Sequence, residues 1–418
     1  MIALIDANNF YVSCERIFNL SLTGKPVAVL SNNDGCVISR SQEFKALGIA
    51  MGTPYFQLRE WVSSGAITLC SSNYELYGDI SRRIVDILGG FSADVEPYSI
   101  DEAFVHFPDT PGVDRFALGK AIRERLLKWI GIPCGVGFAP SRTLAKIANH
   151  IGKKSESGIF VMPDDPTPIL AELPVSEVWG IGRRLEPKLT RIGIQTAAQL
   201  AAADPVEIRR RFSVTVAQTV LELRGQSVIR HENPEAAAQS ISCSRSFGHP
   251  VTLFDELAES VAHYLATAAR KLRQQRQCAA GVTIYLQLYP EYRPFPLPGG
   301  FPSTLVTFDT PTAATGEMIK AVLPKLKGLF VEGRRYKKSG VVFFGLEPME
   351  RRQEELFEDH AKSRRNEKLY AVVDRINQRY GRNTLFSLAE GIDRPWAMKR
   401  EFLSPCSTTR WEQLPTVR

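Results

Sequence analysis

Three acidic residues adjoin apolar runs, and their placement restricts the folds available to the chain. Asp6 follows the apolar run 1–5, whereas Asp101 and Glu102 lie between the apolar stretches 95–100 and 103–107. Acidic side chains are rare in core strands unless they are paired or bind a metal. We therefore expect the three carboxylates to lie at strand ends and to converge on one site.

Converging carboxylates have a recognised chemistry. They are hard oxygen ligands suited to Mg²⁺, and two such ions a few ångströms apart drive in-line phosphoryl transfer. The pattern predicts phosphoryl or nucleotidyl transfer and leaves polymerases, nucleases and cyclases open. The alternative is three separate acids that form salt bridges at strand ends.

The length of the chain and its net positive charge restrict its domain organisation and its partners. A length of 418 residues predicts three or four domains, and the net charge of +7 favours a polyanionic partner such as nucleic acid. The seven cysteines form no Cys-x-x-Cys pair, which disfavours a zinc site or a disulfide framework. With no apolar run of membrane-spanning length, we expect a cytoplasmic protein without membrane contact.

The order of apolar and polar segments predicts an α+β chain with two related halves. Residues 1–161 follow the order strand, helix, two strands, helix, strand, with a segment inserted after the first helix. Residues 175–231 are helical in pattern, and 240–346 repeat the split order. The remainder is charged and less regular, with a helix expected near 366–380.

Several blocks, in this order, resemble the Y-family of translesion DNA polymerases and its UmuC-like branch. They are 6–11, 34–40, 71–77, 98–104, 179–184, 243–248, 398–400 and 403–405. The resemblance covers essentially the whole chain and implies a right-hand polymerase. Its expected parts are a split βαβ palm (1–24 and 76–165), small fingers (25–75), a helical thumb (166–231), a linker (232–239), an α+β little finger (240–346) and a C-terminal partner-binding tail (347–418).

The resemblance also implies an active site. Asp6, Asp101 and Glu102, with the carbonyl of Ala7, would hold two Mg²⁺ ions. Tyr11, beside Phe10, would be a steric gate that rejects the ribose 2′-hydroxyl, although two core aromatics are the alternative. Three cations would contact the triphosphate, namely Arg40, Lys45 and Lys153, with Lys146 a weaker candidate than Lys153.

DNA and protein contacts follow from the same resemblance. The turn containing Gly180 and Gly182 looks like a helix-hairpin-helix turn whose backbone approaches a DNA phosphate. Basic residues would add phosphate contacts in the thumb (Arg183, Arg184) and in the little finger (Arg334, Arg335, Lys337, and the cluster 270–276). A peptide containing Gln353, Leu356 and Phe357 resembles a sliding-clamp motif, although two glutamates stand between its anchors.

The expected reaction is error-prone, template-directed addition of dNTPs opposite damaged bases, in SOS repair and mutagenesis. Implied partners are primer-template DNA, dNTP, the sliding clamp, processed UmuD-like subunits (UmuD′) and RecA. Two rival hypotheses are a nuclease or cyclase, and a non-catalytic DNA-binding or recruitment subunit. A nuclease needs no steric gate, and a cyclase needs no thumb turn.

Overall fold

The chain forms two units, each with its own hydrophobic core. The computed structural model describes residues 1–229, 238–289, 301–351 and 360–414. The first unit comprises Met1–Glu232 and Glu401–Arg418, and the second comprises Asn233–Arg400. Within the described residues, no helix is long and apolar enough to cross a membrane.

The first unit contains eight strands and eleven α-helices within its described residues, besides short 3-10 helices. In chain order they are β1 (Ile2–Ala7), α1 (Phe10–Phe18), β2 (Val27–Leu30), β3 (Val37–Arg40), α2 (Gln42–Ala46), α3 (Arg59–Ser63), β4 (Thr68–Ser71), α4 (Tyr74–Gly89), β5 (Val95–Pro97), β6 (Glu102–His106), α5 (Arg115–Ile130), β7 (Cys134–Ala139), α6 (Arg142–Gly152), β8 (Ile159–Val161), α7 (Thr167–Glu172), α8 (Glu186–Thr190), α9 (Ala197–Ala202), α10 (Pro205–Arg211) and α11 (Val214–Leu223).

A five-stranded sheet in the order β5-β6-β1-β7-β8 is the centre of this unit. The apolar strand β1 pairs antiparallel with both β6 and β7, so both of its edges are hydrogen-bonded, and its side chains pack into a core on each face of the sheet. Helices α1, α4 and α5 contribute to the core on one face, and α6 contributes to the core on the other. The register sets Asp6 directly opposite Glu102, so the strand ends place these two acids side by side.

The inserted segment forms a small three-stranded sheet in the order β3-β2-β4. Its core includes Leu30, Val37 and Phe44, and Ser41 caps α2 by accepting the Phe44 N–H. Helix α4 follows this sheet and was not among the predicted elements. It begins after Asn73, whose side chain accepts the Leu76 N–H.

The second unit contains one four-stranded antiparallel sheet in the order β11-β10-β12-β9. Its elements are β9 (Ile241–Val251), α12 (Phe254–Gln274), β10 (Gln277–Leu288), β11 (Ser303–Thr312), α13 (Thr315–Leu329), β12 (Tyr336–Pro348) and α14 (His360–Tyr380). The predicted order of strands and helices is confirmed. Helix α14 begins six residues before the predicted 366.

Residues 347–418, predicted as one C-terminal tail, belong to different parts of the structure. Strand β12 ends at Pro348, and the chain through Arg400 belongs to the second unit. From Glu401 the chain is part of the first unit, where Phe402 packs beside the core of the three-stranded sheet. Long-range return of the chain therefore determines the C-terminal structure, and the local charge pattern carries no signal of it.

Candidate active site

The acids predicted to converge occupy adjacent strand ends. Asp6 is on β1, and Glu102 is the first residue of β6 and its cross-strand partner. Asp101 lies next to them, because the Ala7 N–H donates to the Asp101 carbonyl oxygen at 2.8 Å. Asp6 and Glu102 border a cavity of about 270 Å³ that is also lined by Trp179. Sheet register thus places Asp6 and Glu102 side by side, with the backbone of Asp101 next to them.

Two lysines accompany these acids. Lys153 Nζ lies 2.5 Å from Asp6 Oδ2, and Lys146 Nζ lies 2.8 Å from Glu102 Oε2. Lys146 is on α6 and Lys153 is the residue that caps its C-terminus, seven positions later; this spacing is close to two helical turns, so both lysines lie on one side of the helix. Lys146, the weaker candidate from sequence, also lies over three aromatic rings: Tyr98 at 4.6 Å, Trp179 at 5.3 Å and Phe104 at 5.8 Å.

The carboxylates carry excess negative charge. The pKa of Asp6 is raised to about 6, mainly because the carboxylate is buried; Lys153 opposes the rise, and the charges of Glu102 and Asp101 contribute to it. Such a site is stabilised by added positive charge, and its oxygen donors are those preferred by Mg²⁺. In the residues that the structure describes, however, no three acidic, His or Cys side chains are arranged to hold a metal ion. The Asp101 carboxylate instead accepts the Ser99 hydroxyl at 2.6 Å.

Tyr11 lies in a cluster of aromatic rings beside the acids. Its ring stacks on that of Tyr77, with centroids 4.6 Å apart and planes 21° apart, and meets Tyr74 edge-on. Burial raises the pKa of Tyr11, and the Asp101 charge adds to the rise. The predicted gate residue is therefore close enough to the acidic centre to be affected by the charge of Asp101. Phe10, by contrast, is 3% exposed and belongs to the core.

The cations predicted to bind phosphate share one electrostatic environment. Lys45 Nζ donates to the Asn9 side-chain oxygen at 2.7 Å. Desolvation lowers the pKa of Lys45, and repulsion from Arg40 and from Lys153 lowers it further. Arg40 donates to the Ile49 carbonyl at 2.6 Å. Arg40 at the end of β3, Lys45 on α2 and Lys153 just after α6 thus bring positive charge to a common region, which is suited to a polyphosphate.

The predicted thumb turn has the backbone conformation that requires glycine. Gly180 has φ of 88°, a region that other residues rarely adopt, and a Cβ there would meet open space. Gly182, Arg183 and Arg184 are exposed, and Gly182 accepts the N–H groups of Leu185 and Glu186. The turn therefore leaves both its backbone and its basic side chains accessible.

Basic residues of the second unit fall into two groups. Arg334 and Arg335 are exposed, and Lys337 is half-buried near the start of β12. Arg273, in the predicted 270–276 cluster, instead makes a bidentate ion pair with Asp374 of α14, at 2.7 and 2.9 Å. Its guanidinium is therefore a structural contact. The predicted clamp residues Gln353, Leu356 and Phe357 lie outside the described residues.

Comparison with known proteins identifies the family. The impB/mucB/samB family matches residues 5–150, its C-terminal domain matches 238–356, and the IMS family HHH motif matches 163–194. Protein UmuC of Salmonella typhimurium is 41% identical over the full length of both chains. The chain belongs to the impB/mucB/samB family. A domain of unknown function matches residues 367–417.

More distant relatives extend this assignment. DNA polymerase IV 1 of Bacillus subtilis is 31% identical over 69% of this chain and 70% of its own length. A solved structure titled as a Y-family DNA polymerase chimera has a TM-score of 0.65 at 21% identity, covering 83% of this chain and all of that one. That likeness shows the fold alone.

These relationships confirm the multidomain α+β polymerase fold and the predicted activity. The chain is a DNA-directed DNA polymerase of error-prone translesion synthesis, and that assignment is favoured over a nuclease, a cyclase or a recruitment subunit. Polymerases of the Y-family depend in general on divalent metal ions. DNA and nucleotides are accordingly its substrates.

Proposed function

We propose that nucleotidyl transfer takes place at the cavity bordered by Asp6 and Glu102. Asp6, Asp101 and Glu102, with the carbonyl oxygen of Ala7, would hold two Mg²⁺ ions, which would supply activation of the 3′-hydroxyl and charge neutralisation. The observation that carries this assignment is the pairing of Asp6 with Glu102 across the β1–β6 ladder, with Asp101 adjacent. The raised pKa of Asp6, caused first by burial and then by its neighbours, supports a site that added positive charge would stabilise.

The side chains around the acids would bind and orient the incoming nucleotide. Arg40, Lys45 and Lys153 contact the triphosphate, so that the α-phosphate faces the primer 3′-hydroxyl. The hydroxyl attacks in line and pyrophosphate leaves. Tyr11 excludes a ribose because a 2′-hydroxyl would meet its ring. Phe10 supports that ring from the core and offers its backbone to the nucleotide.

Lys146 gains a role that its place in the sequence did not indicate. Its ammonium neutralises Glu102 while the aromatic rings hold the side chain in place. We assign Lys146 to holding the Glu102 side chain in place through their 2.8 Å ion pair before substrate enters. Lys153, which is more exposed, can leave Asp6 for a phosphate.

DNA binding is proposed for the thumb turn and for the second unit. Gly180 and Gly182 present backbone N–H groups to a phosphate, and Arg183 and Arg184 add charge. In the second unit, Arg334, Arg335 and Lys337 contact the template backbone. The sheet there has one face covered by α12 and α13, while Tyr285, Gln287 and Lys338 lie on the other. These contacts are independent of base sequence, as a polymerase requires.

We further propose the cellular partners of the UmuC-like branch. They are the sliding clamp, bound through Gln353, Leu356 and Phe357, processed UmuD-like subunits (UmuD′) and RecA. Cytoplasmic action is proposed with them. Full-length similarity to UmuC supports this set.

Primer extension on a template with an abasic site tests the catalytic assignment. Wild type is compared with an Asp101→Ala/Glu102→Ala variant, with Mg²⁺, clamp, activated RecA and UmuD′ present. We expect extension by wild type and at least a thousandfold loss in the variant, roughly the scale of removing one group from a catalytic unit. Equal extension by both proteins would refute the acidic site. Retained DNA binding by the variant, measured by fluorescence anisotropy, verifies that it folds.

A further inference from the structure

A buried acid connects α1 to the C-terminal part of the chain. Glu15 is 3% exposed, and its carboxylate accepts the Tyr77 hydroxyl at 2.6 Å and the Ser404 hydroxyl at 3.0 Å. No lysine or arginine pairs with Glu15 within the described residues. A buried carboxylate without a cation depends on its hydrogen-bond donors. Both donors are therefore expected to be held firmly.

The Tyr77 end of this connection reaches the sugar gate. Tyr77 is fully buried, and its ring is the one on which Tyr11 stacks, at 4.6 Å. The hydroxyl bond to Glu15 fixes the position of the Tyr77 ring along α4. The Tyr11 ring is half-buried and leans on that surface. Any displacement of Tyr77 therefore changes the support of Tyr11.

The Ser404 end belongs to a C-terminal segment that forms several hydrogen bonds with the rest of the first unit. We call residues 401–414 the return segment. The Phe402 carbonyl accepts the Ser71 N–H at 2.9 Å, and the Phe402 N–H donates to the Ser71 hydroxyl at 2.9 Å. Buried Asp34 accepts the Glu401 N–H at 2.7 Å. The return segment is thus fixed to the last residue of β4 and to the turn that follows β2.

Asn73 connects the return segment to the start of α4. Its side-chain nitrogen donates to the carbonyl oxygens of Ser404 and Pro405, both at 3.2 Å. Its side-chain oxygen accepts the Leu76 N–H and so caps the helix. The return segment therefore contacts α4 at two points, the helix cap and, through Glu15, the Tyr77 hydroxyl.

We propose that the return segment is a positioning element for the steric gate, acting through Ser404, Glu15 and Tyr77. This inference rests on the proposed role of Tyr11. It assigns a function to the last part of the domain of unknown function at 367–417, namely discrimination between deoxyribose and ribose. Ser404 touches neither substrate nor reacting atoms, so it acts only through the orientation of Tyr11.

The test is the sugar discrimination of the full chain, assayed with the accessory factors its primer extension requires. The measured quantity is the ratio of kcat/KM for a dNTP to that for the matching rNTP. Ser404→Ala removes one donor to Glu15 and also the hydroxyl that accepts the Asn73 amide at 3.0 Å, and we expect the ratio to fall about threefold to tenfold. Ser404→Thr keeps the hydroxyl and should restore the ratio. Ser407→Ala is the matched control, because the Ser407 hydroxyl makes no hydrogen bond within the described residues.

A second variant tests the other end of the connection. Tyr77→Phe keeps the ring stack but removes the hydroxyl, and should lower the ratio in the same direction. In the double variant Ser404→Ala/Tyr77→Phe, the dNTP-to-rNTP ratio should fall by less than the product of the two single effects, because both substitutions act through Glu15.

An unchanged ratio in both single variants overturns the proposal, as does an equal fall in Ser407→Ala. A merely structural role would lower dNTP and rNTP use together and leave the ratio intact. Tyr11→Ala separates this inference from the proposed function. If that variant keeps full discrimination, the gate assignment itself is wrong. If it loses discrimination while Ser404→Ala does not, only the role of the return segment is wrong.

Discussion

Glu222 fixes helix α11 of the proposed thumb to the proposed palm and invites a quantitative test. It is fully buried, and its carboxylate accepts the N–H groups of Thr143 at 3.1 Å, Val228 at 2.8 Å and Ile229 at 3.1 Å. Its own carbonyl oxygen accepts the Ser141 hydroxyl at 2.6 Å. One side chain therefore satisfies three backbone donors from two parts of the chain.

The expected magnitude follows from those three donors. Glu222→Ala leaves all of them without a partner. Since each unsatisfied buried donor costs about 1–3 kcal/mol, and the Val228 and Ile229 groups are only half-buried, we expect a loss of about 3–5 kcal/mol. Glu222→Gln keeps one oxygen, which can still serve Val228 and Ile229. Its amide then faces the Thr143 N–H, so the expected loss is about 1–3 kcal/mol.

The free energy of unfolding is measured on the full chain by differential scanning calorimetry and by urea unfolding. The quantity compared is the stability of the unfolding transition that Glu222→Ala shifts. Glu172→Ala is the matched control, because Glu172 is exposed on α7 of the same unit. The control should change stability by about 0.5 kcal/mol or less. If Glu222→Ala lies within about 1 kcal/mol of the control, the three hydrogen bonds do not hold this joint and the reasoning fails.

Three further predictions concern the acidic site, the packing of β7 against α6 and the DNA contacts. The half-saturating Mg²⁺ concentration for primer extension should rise as pH falls through about 6, because Asp6 takes up a proton there. In Lys153→Met this rise should begin at a higher pH, because the Lys153 ammonium lowers the Asp6 pKa in the wild type. Gly137→Ala should strongly destabilise the folded protein in thermal melting, because the added Cβ would overlap a backbone nitrogen of α6. The control is Gly78→Ala, whose added Cβ has no atom within 4 Å. Arg334→Ala/Arg335→Ala should weaken DNA binding equally for unrelated sequences and reduce the salt dependence by about two counterions, measured by anisotropy at several salt concentrations; sequence-selective weakening would contradict backbone contact.

Features with a local or repeating signal were predictable. The apolar run of β1 ending at Asp6, and the acids at 101 and 102 between apolar stretches, indicate strands and their ends through residue order alone. The Ser141 cap of α6 is likewise visible as a polar residue ahead of a helical run. Such signals depend on neighbours within a few positions, so one sequence contains them.

Features that depend on packing between distant parts of the chain could not be predicted from the sequence. Lys146 and Lys153 look alike as basic residues on or just after one helix, and only the position of α6 against β1 and β6 brings each to its own acid. Arg273 has the sequence context of a DNA contact, but α14 supplies Asp374 as its partner.

The sequence by itself determined the family, the order of strands and helices in the split halves and the residue types of the acidic centre, because motifs and strand patterns contain this information. Only the tertiary structure decided that Ser404 meets Glu15, a residue 389 positions away, beneath the Tyr77 ring that supports Tyr11. A hydroxyl and a buried carboxylate leave no periodic trace in a chain. Their hydrogen bond exists because folding removes both groups from water, and each is then stabilised by the other.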